Sequence, residues 1–158
     1  MIENITVRDI MKKIPVALRP GMDMGEAIRL LLKNNVSGAV VVDEDNKLVG
    51  MLSEKDCLRI FANGAYNALP NARVSEYMSE IVKTAHPDDD LFTVAGVFLE
   101  NSFRRLPVIE DDVLIGQVSR FDVLAGSRRI WETTQTKKEW TDAKYIPDEL
   151  RARLDSKS

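Results

Sequence analysis

The sequence predicts a mixed α/β (α+β) fold in which a strand–helix–strand–strand–helix unit occurs twice. The first observation is that the phrase GMLSEKD at residues 50–56 returns as GQVSRFD at residues 116–122. The second is that other segments return at nearly the same spacing, such as VRDIM at 7–11 and VSEYM at 74–78. The third is that each copy shows the same succession of β-branched runs and helical periodicities. Internal repetition of this kind sets the architecture before any single element is assigned.

Each copy opens with a short apolar run that predicts a strand, IPVAL at 14–18 and IVKTA at 81–85. A proline follows, and then a helix whose apolar residues recur at helical spacing. Asp23 and Asp88 are the predicted N-caps, because an aspartate side chain accepts hydrogen bonds from the free amides of a first helical turn. The apolar residues that define the two helices are Ala27, Ile28, Leu31, Leu32, Val94, Ala95, Phe98 and Leu99.

Two β-branched runs come next in each copy and predict a hairpin. They are GAVVVD with KLVGML in the first copy and LPVIE with VLIGQV in the second, and acidic or Asn-containing turns join them. A second helix is predicted to begin at Ser53 in the first copy and at Ser119 in the second. Neither unit alone is large enough to cover both faces of its sheet, so we expect the two units to pack on each other.

The predicted organisation follows from the extent of the repeat. It comprises a first domain over residues 5–62, a linker over 63–73, a second domain over 74–130 and an extension over 131–158. The extension is polar, has no counterpart in the repeat and contains Trp131, Trp140 and Tyr145. We expect it to be helical or partly disordered, and to be able to lie against a partner subunit.

Composition narrows the class of protein. The chain has 158 residues with 44% apolar content, which suffices for a core, and its net charge of −3 argues against a general nucleic-acid binder. Its single cysteine, Cys57, excludes a disulfide framework and a cysteine-rich metal site. The N-terminal sequence lacks the apolar run of a signal peptide, and no stretch approaches the length of a membrane span. We therefore expect a soluble, cytoplasmic protein.

The repeated phrase has two interpretations. Ser-x-x-Asp ahead of an apolar helix is close to a capping box, in which serine and acid satisfy the first free amides of the helix. The same geometry suits a nucleotide, because helix amides and a serine hydroxyl bind phosphate. An aspartate one turn into the helix can accept both ribose hydroxyls, as acidic residues do in dinucleotide-binding folds. Both interpretations remain open at the level of these residues.

The chain resembles a tandem pair of CBS domains, a family named for cystathionine β-synthase. The resemblance rests on the element order, on GMLSEKD and GQVSRFD opening the last helices, and on FRRLPVIE before the second hairpin. It covers roughly residues 5–130 and implies a stand-alone CBS-domain protein. The family forms a disc-like module with two clefts for adenosine derivatives such as AMP, ADP, ATP or S-adenosylmethionine, of which AMP is our first expectation. It also implies a homodimer, because members commonly associate through exposed helical faces.

The resemblance also implies site residues, because each cleft in the family takes its serine and aspartate from one repeat and its base-contacting strand from the other. The first cleft is expected to contain Ser53, Asp56, Ile81, Arg104 and Arg105. The second is expected to contain Ser119, Asp122, Lys13, Ile14, Ser37 and Gly38. The arginines suit phosphate through their planar fork, although a solvated surface pair is the alternative. Lys13 and Arg120 could supply charge to the second cleft, but we expect the phosphate-rich ligand near Asp56 and weaker or different occupancy near Asp122.

The expected function is a regulatory module without catalytic activity that binds an adenosine nucleotide and changes its association with itself or with an unidentified partner protein. The alternative is a ligand-free structural or interaction module in which both phrases are only helix caps. An enzyme acting on nucleotides is not expected, because the sequence does not offer a base, a nucleophile or a set of metal ligands in the right places. His86 reads as an ordinary bend residue, and the acidic runs lie in hairpin turns, so no metal is expected. Neither nucleic acid nor membrane is an expected partner.

Overall fold

The computed structural model describes residues 4–64, 67, 71–80 and 82–134. Ile81, Trp140 and Tyr145 lie outside the described residues, as do most of the predicted extension and part of the predicted linker. In chain order the elements are α1 (Val7–Ile10), β1 (Ala17–Leu18), α2 (Met24–Lys33), β2 (Gly38–Val42), β3 (Leu48–Ser53), α3 (Glu54–Ala62), α4 (Val74–Tyr77), α5 (Leu91–Glu100), β4 (Arg105–Glu110), β5 (Val113–Ser119) and α6 (Arg120–Thr134).

The predicted mixed fold is confirmed. In the first repeat, β1 runs parallel to β2, and β2 pairs antiparallel with β3 to form a three-stranded sheet. In the second repeat, β4 and β5 form the equivalent hairpin. Its expected first strand is reduced, within the described residues, to one parallel pairing of Ala85 with Val108. The helix α6 continues to Thr134, so the first four residues of the predicted extension, 131–134, belong to it.

The backbone conformation explains why Asn and Asp occupy the turns of the two hairpins. Asn46 has a φ of 60°, and Asp111 and Asp112 have φ values of 51° and 64°. This left-handed region is costly for most residues but is tolerated by Asn and Asp, whose short polar side chains bond locally. The runs read from the sequence as turns are therefore turns.

Two apolar cores lie under the sheets, and each takes residues from both repeats. The first core consists mainly of the first repeat but includes Ala72 and Val74. The second core consists mainly of the second repeat but includes Ile5, Val7 and Ile10. These residues lie just before each repeat's first strand, in segments 5–12 and 72–79, which we call the first and second leading segments.

Backbone hydrogen bonds fix this exchange of leading segments. The amide of Val7 donates to the carbonyl of Asp89 at 2.8 Å, and the amide of Val74 donates to the carbonyl of Met22 at 2.9 Å. Each repeat thus completes its core with the leading segment of the other. Because burying a side chain such as Val7 removes apolar surface from water, the exchange ties the two repeats together.

The glycine of the repeated phrase is explained by the same exchange. The first leading segment crosses β5 where Lys12 pairs with Gln117, and the second crosses β3 where Ser79 pairs with Met51. A Cβ at Gly116 would lie 2.9 Å from the carbonyl oxygen of Lys12, and the corresponding distance at Gly50 to the Ser79 oxygen is also 2.9 Å. Glycine is required at both positions so that a second backbone can lie directly against the strand.

The predicted helix caps are half correct. Asp23 accepts a hydrogen bond from the amide of Glu26 at 2.8 Å and caps α2 as expected. The prediction of Asp88 for the second copy is wrong, because α5 begins two residues later and its cap is Asp90. The Asp90 carboxylate accepts from the Thr93 amide at 2.7 Å, and this bond lowers the pKa of Asp90 below its ordinary value.

Asp90→Ala is expected to lower the thermal unfolding temperature at neutral pH more than Asp88→Ala does, because only Asp90 satisfies a free amide of α5. The folded pKa of Asp90 is depressed, so its contribution is present above the unfolded pKa and is lost as the pH falls through the folded value. The difference between wild type and Asp90→Ala should therefore shrink on strong acidification. Thermal unfolding followed by circular dichroism between neutral and acidic pH measures it, and equal effects of the two substitutions would refute the assignment of the cap.

The helices leave part of their apolar stripe exposed. In α2 and α5 the structure buries Ala27, Leu31, Val94 and Phe98, but Leu32 is 76% exposed and Leu99 is 87% exposed. Further exposed apolar side chains lie on these helices and on α3 and α6, namely Leu58, Phe61, Phe92, Phe121, Leu124 and Trp131. Exposed apolar surface of this kind is typical of a contact with another molecule. Among the described residues, no helix has the length and apolar character needed to cross a membrane.

Candidate functional site

Both copies of the repeated phrase form a reciprocal helix cap. The Ser53 hydroxyl accepts from the Asp56 amide at 3.2 Å, and the Asp56 carboxylate accepts from the Ser53 amide at 2.8 Å. The equivalent distances between Ser119 and Asp122 are 3.1 Å and 2.9 Å. Both aspartates are buried, with 7% of their surface exposed. The capping geometry expected from the phrase is therefore present twice, and the two helices α3 and α6 start at its serines.

The two aspartates differ in what else they bind. Asp56 also accepts from the Ser53 hydroxyl at 2.9 Å through Oδ2 and from the Arg59 guanidinium at 3.0 Å through Oδ1. Within the described chain, the Asp122 carboxylate accepts only from the Ser119 amide, through Oδ2. The Oδ1 oxygen of Asp122 and the hydroxyl hydrogen of Ser119 are therefore available to a ligand, whereas both carboxylate oxygens of Asp56 already accept hydrogen bonds.

A cavity of about 420 Å³ opens beside Asp122. Strand pairing builds it: Arg105 pairs with Ser119 across β4 and β5, and the Arg120 amide donates to the Arg104 carbonyl at 3.1 Å. The first leading segment closes one side, where Lys12 pairs with Gln117. We call this cavity the second cleft. It is lined by Lys12, Arg104, Arg105, Gln117, Ser119, Arg120, Phe121 and Asp122.

The second cleft carries an excess of positive charge. Four of its lining residues are basic and one, Asp122, is acidic. The Arg120 guanidinium donates to the Asn101 carbonyl at 3.3 Å. The side chains of Lys12, Arg104 and Arg105 form no ion pair with any residue that the structure describes. Several unpaired cations converging at the start of a helix attract an anion, and arginine binds phosphate oxygens in pairs.

The equivalent positions of the first repeat have a different character. There Gly38 pairs with Ser53, and the Glu54 amide donates to the Ser37 carbonyl at 2.9 Å. We call the repeat-equivalent positions the first cleft. They are Ser37, Gly38, Met51, Ser53, Glu54, Lys55, Asp56 and Ser79. Two of these are acidic and one is basic. These positions thus carry a net negative charge, in contrast to the positively charged lining of the second cleft.

Within each hairpin, the structure places predicted site residues beside the serine of the same repeat. Arg104 and Arg105 lie beside Ser119, because each hairpin pairs its own strands. Ser37 and Gly38 lie beside Ser53 and Asp56 for the same reason. The grouping of the arginines with Asp56 stays a prediction, whereas their position in the lining beside Ser119 and Asp122 is a feature of the structure.

A residue of the first leading segment, Lys12, also lines the second cleft. Lys13 and Ile14 follow Lys12 directly in the chain, and Lys12 lines the second cleft with Asp122. Ile81, expected with Asp56, lies outside the described residues. Sequence reasoning missed three lining residues, Lys12, Gln117 and Phe121. Lys12 precedes a predicted site residue and the other two lie inside the repeated phrase, so a wider reading of those motifs would have found them.

A second group of polar side chains lies away from both clefts. Ligand atoms of His86, Asp88 and Glu110 lie within 4.8 Å of one another. The guanidinium of Arg8 contacts Glu110 at 2.5 Å and Asp88 at 3.5 Å. Arg8 therefore already supplies the positive charge that a metal ion would bring. The Nδ1 atom of His86 also accepts from the Asp88 amide at 3.1 Å, so one ring nitrogen is engaged in the bend.

Comparisons with known proteins agree with this architecture. The family model of the CBS domain matches residues 7–63 and 74–128. The chain is 32% identical over 121 residues to the protein MJ1225 of Methanocaldococcus jannaschii; the match covers 77% of this chain and 42% of MJ1225, so the chain spans less than half of that relative's length.

Two solved structures are similar over nearly their whole length. The crystal structure of CBSX2 in complex with AMP has a TM-score of 0.69 at 28% identity, and the match covers 80% of this chain and 98% of CBSX2, a protein of Arabidopsis thaliana. The CBS domain pair of MJ0100, in complex with 5′-methylthioadenosine and S-adenosyl-L-methionine, has a TM-score of 0.68 at 28% identity, with coverage of 80% and 99%.

Proposed function

Because the chain belongs to the CBS domain family, as a tandem pair of CBS domains, we propose that it is a regulatory module that binds an adenosine nucleotide in the second cleft. The observation that carries this proposal is the coincidence of unpaired basic side chains with a carboxylate that has one free oxygen. Arg104 and Arg105 suit a phosphate group, and Asp122 suits the hydroxyls of a ribose. The AMP complex of the similar CBSX2 structure supports this class of ligand.

Each residue has a distinct part in the proposed binding. The Oδ1 oxygen of Asp122 accepts from the ribose hydroxyls while its Oδ2 oxygen keeps the cap on α6. The Ser119 hydroxyl donates to the ligand, and the cations of Lys12, Arg104 and Arg105 neutralise phosphate. Phe121, exposed at the same edge, offers an apolar ring surface on which a base can stack. No bond is made or broken, so the proposed role is binding and not catalysis.

The proposed regulation arises from the exchange of leading segments. A ligand held by Lys12 on one side and by Arg105 on the other joins the first leading segment to the second repeat. Such a ligand binds more tightly to the conformation in which Lys12 and Arg105 lie closest together. It shifts the population towards that conformation only through this difference in affinity between the two states. The exposed apolar side chains of the helices, Leu32 and Leu99 among them, support a homodimer or a partner contact as the state that is regulated.

Calorimetric titration of the full chain with AMP, ADP, ATP and S-adenosylmethionine tests the proposal. We expect one nucleotide per chain, with affinity that falls as salt concentration rises, because the phosphate contacts are ionic and exposed. S-adenosylmethionine, which carries no phosphate, should bind more weakly than the nucleotides. Absence of heat with all four compounds, together with unchanged thermal stability in their presence, would refute the proposed function.

The double substitution Arg104→Ala with Arg105→Ala is expected to weaken nucleotide binding by at least roughly tenfold, because the loss of even one charge-assisted bond costs about 1.5–3 kcal/mol. Binding of adenosine, which has no phosphate, should change little. Arg29→Ala is the matched control, since Arg29 is paired with Glu26 on α2 of the first repeat and its loss removes charge at a distance from the cleft. Equal weakening for adenosine and nucleotide would mean that the arginines support the fold and do not bind phosphate.

One observation favours a second function, that of a structural or interaction module. Both phrases form complete helix caps without any ligand, so capping alone accounts for the serines and aspartates. In that case Asp56→Ala and Asp122→Ala would lower stability alike, and neither would affect binding of any adenosine compound. The uneven distribution of basic residues between the clefts is left unexplained by this alternative.

A further inference from the structure

The two repeats differ one helical turn after their equivalent aspartates. Arg59 lies three residues after Asp56 and donates to its Oδ1 oxygen at 3.0 Å. The residue three positions after Asp122 is Ala125, which has no side-chain donor. The oxygen that Arg59 occupies in the first repeat is therefore the one that is free in the second.

The Arg59 contact affects a ligand in two opposing ways. The Arg59 side chain is 66% exposed while the Asp56 side chain is 9% exposed, so a largely exposed arginine is paired with a buried carboxylate. Simple attraction would make an added cation favourable for a phosphate-bearing ligand. Occupation of Oδ1, however, leaves this oxygen fewer acceptor sites, so ribose hydroxyls must compete with the guanidinium for the carboxylate. The two effects have opposite signs, which makes them separable by experiment.

We propose that Arg59 is a specificity-determining residue that occupies Asp56 and makes the first cleft the weaker of the two sites for a ribose-containing ligand. This inference rests on the proposed function of the second cleft and adds the reason for unequal occupancy. An exposed ion pair between residues three apart on a helix is worth a fraction of a kilocalorie to about one, so the expected effect on affinity is about two- to fivefold.

Transplanting the contact tests this inference at the stronger site. Ala125→Arg places an arginine three residues after Asp122, at an exposed position of α6, and should weaken ATP binding to the full chain about two- to fivefold. Ala125→Gln, a polar side chain without charge, is the control and should bind ATP as the wild type does. ATP binding by Ala125→Arg as tight as, or tighter than, that by Ala125→Gln would overturn the inference, because attraction would then outweigh occupation.

The reverse substitution tests the first cleft. Arg59→Ala is introduced into the Asp122→Ala background, which removes the ribose acceptor of the second cleft, and adenosine is the probe because it lacks phosphate. Adenosine binding should be about two- to fivefold tighter than in the Asp122→Ala parent. No gain in adenosine binding, with both variants showing the same unfolding temperature, would overturn the inference.

The two proposals fail in different ways. If the wild type binds none of the nucleotides, the proposed function fails and this inference fails with it. If the wild type binds ATP with the expected loss in Asp122→Ala, but Ala125→Arg and Ala125→Gln bind it equally, only the role of Arg59 is refuted.

Discussion

Asp122→Ala is expected to weaken nucleotide binding by about ten- to a hundredfold. The substitution removes a carboxylate whose Oδ1 oxygen has no partner among the described residues and whose Oδ2 oxygen orients the first turn of α6. Hydrogen bonds to a charged group contribute about 1.5–3 kcal/mol, which corresponds to that loss in affinity. Titration calorimetry with AMP, ADP and ATP measures the loss directly.

Asp56→Ala is the matched control for that substitution. It removes the same kind of helix cap from α3, with equal burial and near-equal distances, and in addition it removes the partner of Arg59. Its effect on stability should therefore equal or exceed that of Asp122→Ala, while nucleotide affinity should stay within about twofold of the wild type. Loss of binding in both variants to the same degree would indicate that the aspartates act through folding and not as ligand contacts.

Gly116→Ala is expected to destabilise the protein by about 1–3 kcal/mol, the range typical of forcing an extra group into a packed interior. The new Cβ would meet the backbone oxygen of Lys12 at 2.9 Å, and a backbone cannot move aside as a flexible side chain can. The first leading segment must shift away from β5, and Lys12 shifts with it. Nucleotide binding should therefore weaken together with stability, which urea denaturation and calorimetry measure on the same sample.

Gly96→Ala serves as the control for the added methyl group. Gly96 lies in α5, and a Cβ there meets no atom within 4 Å. Alanine favours a helix over glycine by about 0.5–1 kcal/mol, so this substitution should leave stability unchanged or raise it. A neutral Gly116→Ala variant would contradict the close crossing of the leading segment over β5.

Much of the fold could be predicted because its signals are local. The hairpin turns carry Asn46 or consecutive aspartates, residues that tolerate the left-handed backbone found there. The second helix of each repeat starts at the serine of the repeated phrase, Ser53 or Ser119, because both residues of the reciprocal cap lie within a stretch of four residues. The cap of α5 was misplaced because residues 88–90 are three consecutive aspartates, and local chemistry does not distinguish among them.

The arrangement of the site was harder to predict because it depends on contacts distant in sequence. Arg104 was grouped with Asp56, and the structure adds a contact that this grouping did not include, because its neighbour Arg105 pairs with Ser119 within one hairpin. The family rule that each cleft borrows a strand placed Lys13 and Ile14 with Asp122, and the structure adds Lys12 of the first leading segment, which pairs with Gln117. The sequence does contain a signal for this exchange, namely the glycine that opens each phrase, but its meaning depends on which backbone passes over it.

A crystal structure of the protein grown with ATP tests the central claim most directly. We predict one nucleotide per chain, with its ribose hydroxyls on Asp122 and its phosphates among Lys12, Arg104 and Arg105. Crystals grown in the same way from Asp122→Ala should hold no nucleotide in that cleft. A nucleotide bound at Asp56 with the second cleft empty, or two empty clefts at a saturating ATP concentration, would contradict the assignment of the second cleft as the nucleotide-binding site.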